Sequence, residues 1–282
     1  MLLRARALII AMLAAGLAVA ALPASAQTFP SRTVHVVVPY AAGGTGDIVA
    51  RVIADKLSGA LGQSVVVENR PGASGALGTK SVISAVPDGH TLLMGQTGEI
   101  AINQHWSKNL GYDPEKDLAT PGHFAGEVLK LKTKSNLTHV PYNGAGPALN
   151  DLLGAHVDMF FSGFPAAVPH VSSGTLKLIA VSSAKRSGVA PDVPTVAEAS
   201  GIKDFDITLW QGFFAPRDTP KEIVARLNTE INKILVQPDV KAKLLDAGAD
   251  VSPISVDAFA AFTKAESAKF LAIVKESGIK PE

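Results

Sequence analysis

Cysteine is absent from all 282 residues, which excludes a disulfide framework and any thiolate-based metal or redox centre. Charge of one sign is missing as well. The 26 Lys and Arg residues balance 25 Asp and Glu, with no basic block, so the chain has no electrostatic footprint for nucleic acid or an anionic membrane surface. Its seven histidines, at positions 35, 90, 105, 123, 139, 156 and 170, include no H-x-H or H-x-x-x-H pair, the short spacings that suit a metal ligand set. After residue 26 every apolar stretch is broken by Gly, Pro or charge, which leaves no segment able to span a bilayer. Internal repeats and low-complexity tracts are absent too.

The first 26 residues differ in kind from the rest. Arg4 and Arg6 precede an apolar run over 7–21, followed by Pro23 and Ala24-Ser25-Ala26. A short cationic start, an apolar middle and a small-residue end make up a secretory signal peptide. Cleavage after Ala26 would remove 26 of 282 residues and leave 256, with 24 basic against 25 acidic side chains. No cysteine stands at the cleavage point to carry a lipid, so a soluble, monomeric periplasmic protein is expected. That length holds one large domain or two ordinary ones.

Residues 34–38 (VHVVV) form a nearly continuous β-branched run, as in a parallel strand covered on both faces. Ile48, Val49, Val52, Ile53, Leu57 and Leu61 then fall on one helical stripe, with Asp47 in front as the expected N-cap. A strand over 64–68, a helix over 79–85, a PDG turn at 87–89 and a strand over 90–95 repeat the alternation. Strand and helix in succession specify an α/β fold with mainly parallel pairing. Further strands are expected over 176–183 and 205–215. Thr219, Pro220 and Glu222 carry the signature of a capping box, and helices are expected over 220–235, over 238–247 ending at Gly248, and over 256–277 ending at Gly278.

Between the first strand and first helix lies Pro39-Tyr40-Ala41-Ala42-Gly43-Gly44-Thr45-Gly46-Asp47. A bare turn at the carboxyl edge of a parallel sheet lets backbone N–H groups approach a ligand, and the helix N-terminus behind them favours an anion. Two nucleotide motifs fail here by one residue. Read from Gly44, the third glycine of G-x-G-x-x-G falls on Val49, and GALGTKS places Thr79 between its glycine and Lys80-Ser81. Ser74 sits in G-A-S-G rather than G-x-S-x-G, so no nucleophile elbow is present. A purely steric turn also uses glycine, and a secreted hydrolase is a further class that these motifs do not favour.

The motifs FPSRTVHVVVPYAAGGTGDIVARVIADKL, VVVENRPGASGALGTKSV, PDGHTLLMG, YDPEKDL, HVPYNGAGPALNDLLGAHVDMFF, KRSGVAPDVPTVAEAS and TPKEIVARLNTEINKIL resemble, in this order, the Bug-type periplasmic solute receptors of tripartite tricarboxylate transporters. The resemblance implies a periplasmic binding protein-like fold of type II, with two α/β domains and mainly parallel sheets. Residues 27–118 with 211–282 would form domain 1, and 119–210 a shortened domain 2. It implies that Tyr40, Ala41, Ala42, Gly43, Gly44, Thr45 and Asp47 hold a carboxylate, largely through backbone N–H groups. Residues 69–75, the turn Gln96, Thr97 and Gly98, and the loop from Ser162 to 164 would line the cleft, with Trp210 near its mouth or in the core. The ligand would be a di- or tricarboxylate, an amino acid or an aromatic acid, passed to membrane permease subunits. Neither cofactor nor metal is implied.

One departure from the pattern follows Leu118. The family continues there through a strand, a crossover, a helix and a second glycine-rich loop, whereas this chain passes directly to Ala119-Thr120-Pro121-Gly122-His123, a difference of about 45 to 50 residues, far beyond ordinary loop variation. The omission would remove part of the second domain's sheet and one of two cradles for the ligand. A truncated, binding-impaired remnant or signalling partner is therefore the alternative to a working receptor.

Overall fold

The computed structural model describes residues 28–72, 75–102, 121–140, 142 and 145–277. The leader, Ser74, the YDPEKDL segment and the helix stop at Gly278 lie outside them.

The sheet has four strands in the order β2-β1-β3-β4: β1 (Val34–Val38), β2 (Val65–Asn69), β3 (Thr91–Gln96) and β4 (Gln211–Phe214). Strand β1 sits in the middle and pairs parallel with β2, Val36 opposite Val67, and with β3, Val36 opposite Leu92. This central position explains its unbroken Val run, since both faces are covered. Strand β4 runs antiparallel to β3, Gln96 opposite Gln211. The C-terminal part of the chain thus returns to complete the sheet begun by the N-terminal part.

Helix α1 (Thr45–Leu61) lays Ala50, Ile53, Leu57 and Leu61 on one sheet face against Val34, Val36, Val38, Leu92 and Met94. The same cluster takes in Leu227 and Ile234 of α7 (Lys221–Leu235) and Val240 and Leu244 of α8 (Pro238–Asp246). On the opposite face, Val37 and Leu93 meet Val82 of α2 (Ala76–Ile83). Helices on both faces of a mainly parallel sheet are the expected layering for α/β alternation.

A π-helical turn (Gly98–Ile102) leaves β3. A second core gathers around it from Ala101 and Ile102, Ala125 and Val128 of α3 (Pro121–Thr133), Val196 of α6 (Val196–Ser200), Phe205, Ile207, and Phe270 and Val274 of α9 (Val256–Ser277). Helices α4 (Ala145–Leu153) and α5 (Phe164–Ser172) pack on each other.

The structure departs from the sequence reading in several places. Helix α1 begins at Thr45 with Gly44 as N-cap, and Asp47 stands inside its first turn. Gly44 has the extended backbone an N-cap requires (φ −73°, ψ 164°), so the helix starts ahead of its apolar stripe. The capping box at Thr219 does not form: Pro220 is the N-cap of α7 and the Thr219 hydroxyl has no partner among the described residues. No strand forms over 176–183, where only Val181 makes an isolated parallel bridge to Thr195, and of 205–215 only β4 is a strand. A parallel strand needs neighbours to pair with. Ile179 and Leu209 accordingly remain 64% and 52% exposed.

Candidate functional site

The carboxyl ends of β1, β2 and β3 and the start of β4 converge on the turn from Tyr40 to Asp47. Residues 41–44 are exposed, and Gly43 has a left-handed backbone (φ +88°) that an L side chain rarely adopts. Asp47 is 4% exposed and folds back beneath the turn, accepting hydrogen bonds from the Gly43 N–H (2.9 Å) and the Asn69 Nδ2 (3.0 Å) and pairing with Arg51 (2.9 Å). Burial alone would raise its pKa. Bonds from Arg51, Gly43 and Asn69 outweigh that effect and hold the carboxyl below its usual value. Asn69 also donates to the Tyr40 carbonyl (3.1 Å) and accepts from Arg51 (2.9 Å), so the loop is tied from below to the end of β2.

This arrangement determines which amides of the turn are already used. The Gly43 N–H is spent on Asp47, while the N–H groups of Gly44, Thr45 and Gly46 donate to no acceptor among the described residues. They are the orphan donors at the head of a 17-residue helix, where the macrodipole adds positive character. Such a head accepts a carboxylate without needing a cationic side chain.

The remaining predicted residues divide by position. The side chain of Gln96 lies over Gly46, its Nε2 2.9 Å from where a Cβ would stand, which accounts for glycine there. Gly98 and Gly75 make room for the Tyr40 ring: added Cβ atoms would lie 3.4 and 3.1 Å from its hydroxyl oxygen. Thr97 turns inward instead. It is fully buried, and its hydroxyl meets the Trp210 N–H at 2.8 Å, stitching β3 to the segment before β4. Trp210 is half-buried, donates through Nε1 to Glu266 (3.0 Å) and stacks edge-on with Phe259 and Phe262, so its indole serves the core. Ser162 stands before α5 with its hydroxyl on the Gly163 carbonyl (3.0 Å), and no hydrogen bond among the described residues links it to the glycine turn.

Two residues were missed in the sequence. Glu99, 8% exposed, accepts from the Tyr40 hydroxyl (2.8 Å) and the Gln96 N–H (2.6 Å). Burial pushes its carboxyl up to about 7, against bonds from its own N–H, Tyr40 and Gln96 that favour the charged form. An acid three residues after a strand end beside a glycine turn was the available signal. Gln211 reaches toward Gly46 from β4, Nε2 3.8 Å from the Cβ position, and its Oε1 is buried with no partner among the described residues. Nothing local in the sequence pairs Gln211 with Gln96, because their strands lie 115 positions apart.

Two cavities lie elsewhere, one of about 560 Å³ between α2 and the end of β4, the other of about 290 Å³ between the sheet and α7; neither is lined by residues 40–47. Among the described residues no cluster of His, Asp and Glu could hold a metal ion, and no helix is long and apolar enough to cross a membrane.

Comparison with known proteins identifies the family. The sequence model of the "Tripartite tricarboxylate transporter family receptor" matches residues 49–122 and again 119–279. Protein BugT of Bordetella pertussis (strain Tohama I) is 31% identical over 306 aligned positions, covering 92% of this chain and 94% of that protein. Since 92% of 282 residues is about 259, about 47 of those 306 positions face no residue here. Among solved structures, R. palustris Rpa4515 with adipate superposes with a TM-score of 0.79 at 31% identity, covering 90% of this chain and all of that one. The periplasmic binding protein BugD gives 0.74 at 31%, with the same coverage. These relatives are binding receptors rather than enzymes. With its glycine turn at the sheet's carboxyl edge and family matches over most of its length, the chain belongs to the tripartite tricarboxylate transporter receptor family, the Bug-type periplasmic solute-binding proteins.

Proposed function

We propose that this receptor captures a small organic acid on the N–H groups of Gly44, Thr45 and Gly46 at the head of α1 and delivers it to the permease subunits of a tripartite transporter. The observation that carries the reading is the set of N–H groups at the head of α1 that have no acceptor among the described residues, in a turn tied by Asp47 from beneath. Tyr40, Gln96 and Gln211 border that head and supply the polar contacts around the bound carboxylate. Adipate in a structural neighbour of 31% identity supports a dicarboxylate. Residues 27–118 with 211–282 form the ligand-gripping domain in this reading, residues 119–210 the covering one, and the leader exports the chain to the periplasm before cleavage after Ala26.

The test is thermal unfolding with adipate, malate, citrate, glutamate and benzoate. An acid present at a hundred times its dissociation constant adds about 2.7 kcal/mol of stability, a shift of several degrees. A second reading, a shortened receptor that cannot close on its ligand, is favoured by the 176–183 segment, which forms no strand, and the aligned positions this chain lacks. An unmoved melting temperature with every acid would select it.

A further inference from the structure

We propose that the cavity of about 290 Å³ between the sheet and α7 is a second binding site, for a one- or two-ring aromatic molecule that carries a single hydroxyl or N–H donor. None of its lining residues belongs to the turn over 40–47, so the site is separate and does not depend on what that turn holds. A cavity of about 150 Å³ already accepts one benzene ring. This one has room for a fused pair.

Aromatic rings build one wall. Trp210 meets Phe262 and Phe259 edge-on, with ring centres 5.4 and 6.1 Å apart, and Phe259 packs on Phe214 at 5.2 Å. Aliphatic side chains of α1 and α7 face them across the cavity. Polar ties and close packing keep this space from collapsing. Asn228 and Asn232 of α7 both donate to the Ile254 carbonyl (2.9 Å each), and Asn232 accepts from the Ile254 N–H (3.1 Å), which pins the segment entering α9. Phe259 lies on the bare backbone of Gly212, where a Cβ would stand 2.2 Å from its ring, and Glu266 holds the Trp210 indole N–H (3.0 Å). An apolar space between fixed side chains suits an apolar guest better than water.

The polar atoms of the lining select the guest's polar group. The Asn228 and Asn232 amides are engaged with Ile254 and each other, and the Trp210 N–H with Glu266. Gln211 differs, because its Oε1 is buried and has no partner among the described residues. A buried acceptor without a donor is unfavourable, and the soft terminal torsion of glutamine lets the carboxamide turn its oxygen toward a guest. A phenol-type hydroxyl or an indole-type N–H supplies the missing hydrogen. A carboxylate has none to give, and the lining holds no cation to balance its charge. Val256 and Phe262 line the cavity and are nevertheless 39% and 37% exposed, so the guest enters from the surface beside the start of α9.

Calorimetry of the whole protein with 2-naphthol and with its methyl ether, which has the same rings and no donor, tests this. Naphthol should bind saturably and about five- to tenfold more tightly than the ether, the contribution of one neutral hydrogen bond. Equal affinities overturn the ligand class, and no saturable binding of naphthol overturns the site. Ile231→Phe adds a ring to the cavity from α7 and should weaken naphthol about tenfold or more by taking the space it needs; unchanged affinity in that variant overturns the assignment. A readout on the wild type covers a variant that does not fold: nuclear Overhauser contacts from bound naphthol should reach the Trp210, Phe259 and Phe262 rings, and contacts confined to other residues refute the site. Adipate should leave naphthol in place, whereas displacement would put naphthol at the glycine turn and overturn a separate cavity site. A protein that takes naphthol but none of the five acids loses the receptor reading and keeps this one.

Discussion

Replacing Thr45 by proline removes one candidate donor and very little else. Thr45 is the first residue of α1, a position whose N–H has no helical partner and where proline's fixed φ is favourable. Gly44 before it is already extended at φ −73°, ψ 164°, the conformation a following proline requires. Helix α1 should therefore form as before, its core contacts through Ala50, Ile53 and Leu57 unchanged, and unfolding stability should stay within about 0.5 kcal/mol of the wild type. An N–H donated to a carboxylate contributes about 1.5 to 3 kcal/mol, so the binding acid should weaken by about one to two decades. Isothermal calorimetry with adipate measures this, with circular dichroism and chemical denaturation run alongside to show that the fold persists. A T45P protein that is fully folded and binds adipate as the wild type does would refute the claim that the head of α1 holds the ligand.

Three further outcomes follow from the packing around the site. In the wild type Glu99 keeps its proton up to about pH 7 in the folded state but loses it near 4.5 when unfolded, so the folded form binds more protons between those values and stability falls as pH rises through them; denaturation should record a loss of about 2 to 3 kcal/mol from pH 5 to 8.5 relative to E99Q, and an equal pH profile in both would contradict it. Asp47→Ala leaves the Gly43 N–H without its acceptor and takes one of two acceptors from Asn69 and one of two partners from Arg51, and urea denaturation should show about 1 to 3 kcal/mol of lost stability. Gly212→Ala would place a Cβ 2.2 Å from Cζ of the Phe259 ring; forcing that ring aside should cost about 1 to 3 kcal/mol, seen as a lowered melting temperature, whereas an unchanged one would mean that α9 yields freely at this point.

The local pattern carried much of the fold because it acts over one turn or one strand. VHVVV reads as a strand covered on both faces, and it spans Val34–Val38 as read; the helix over Val256–Ser277 agreed equally well. Where two local rules competed, the sequence misled. Asp47 looked like an N-cap, yet glycine can take that place, and the carboxylate was then free to reach back to Gly43. The expected strand over 176–183 has the right residues, but a strand is stabilised by a ladder of neighbours, and here Val181 makes one isolated bridge and Ser182 bonds only to Ile207.

The sequence by itself determined the α/β alternation, the exposed glycine turn and the family, since each depends on residue types in a fixed order along the chain. Tertiary structure alone decided which amides of that turn remain open, through Asp47 and Asn69, and which side chains surround them. Glu99 meets Tyr40 across 59 positions and Gln211 meets Gln96 across 115. Contacts of that range arise only when strands pair and the chain returns to its own sheet, a matter of long-range packing that no local periodicity encodes.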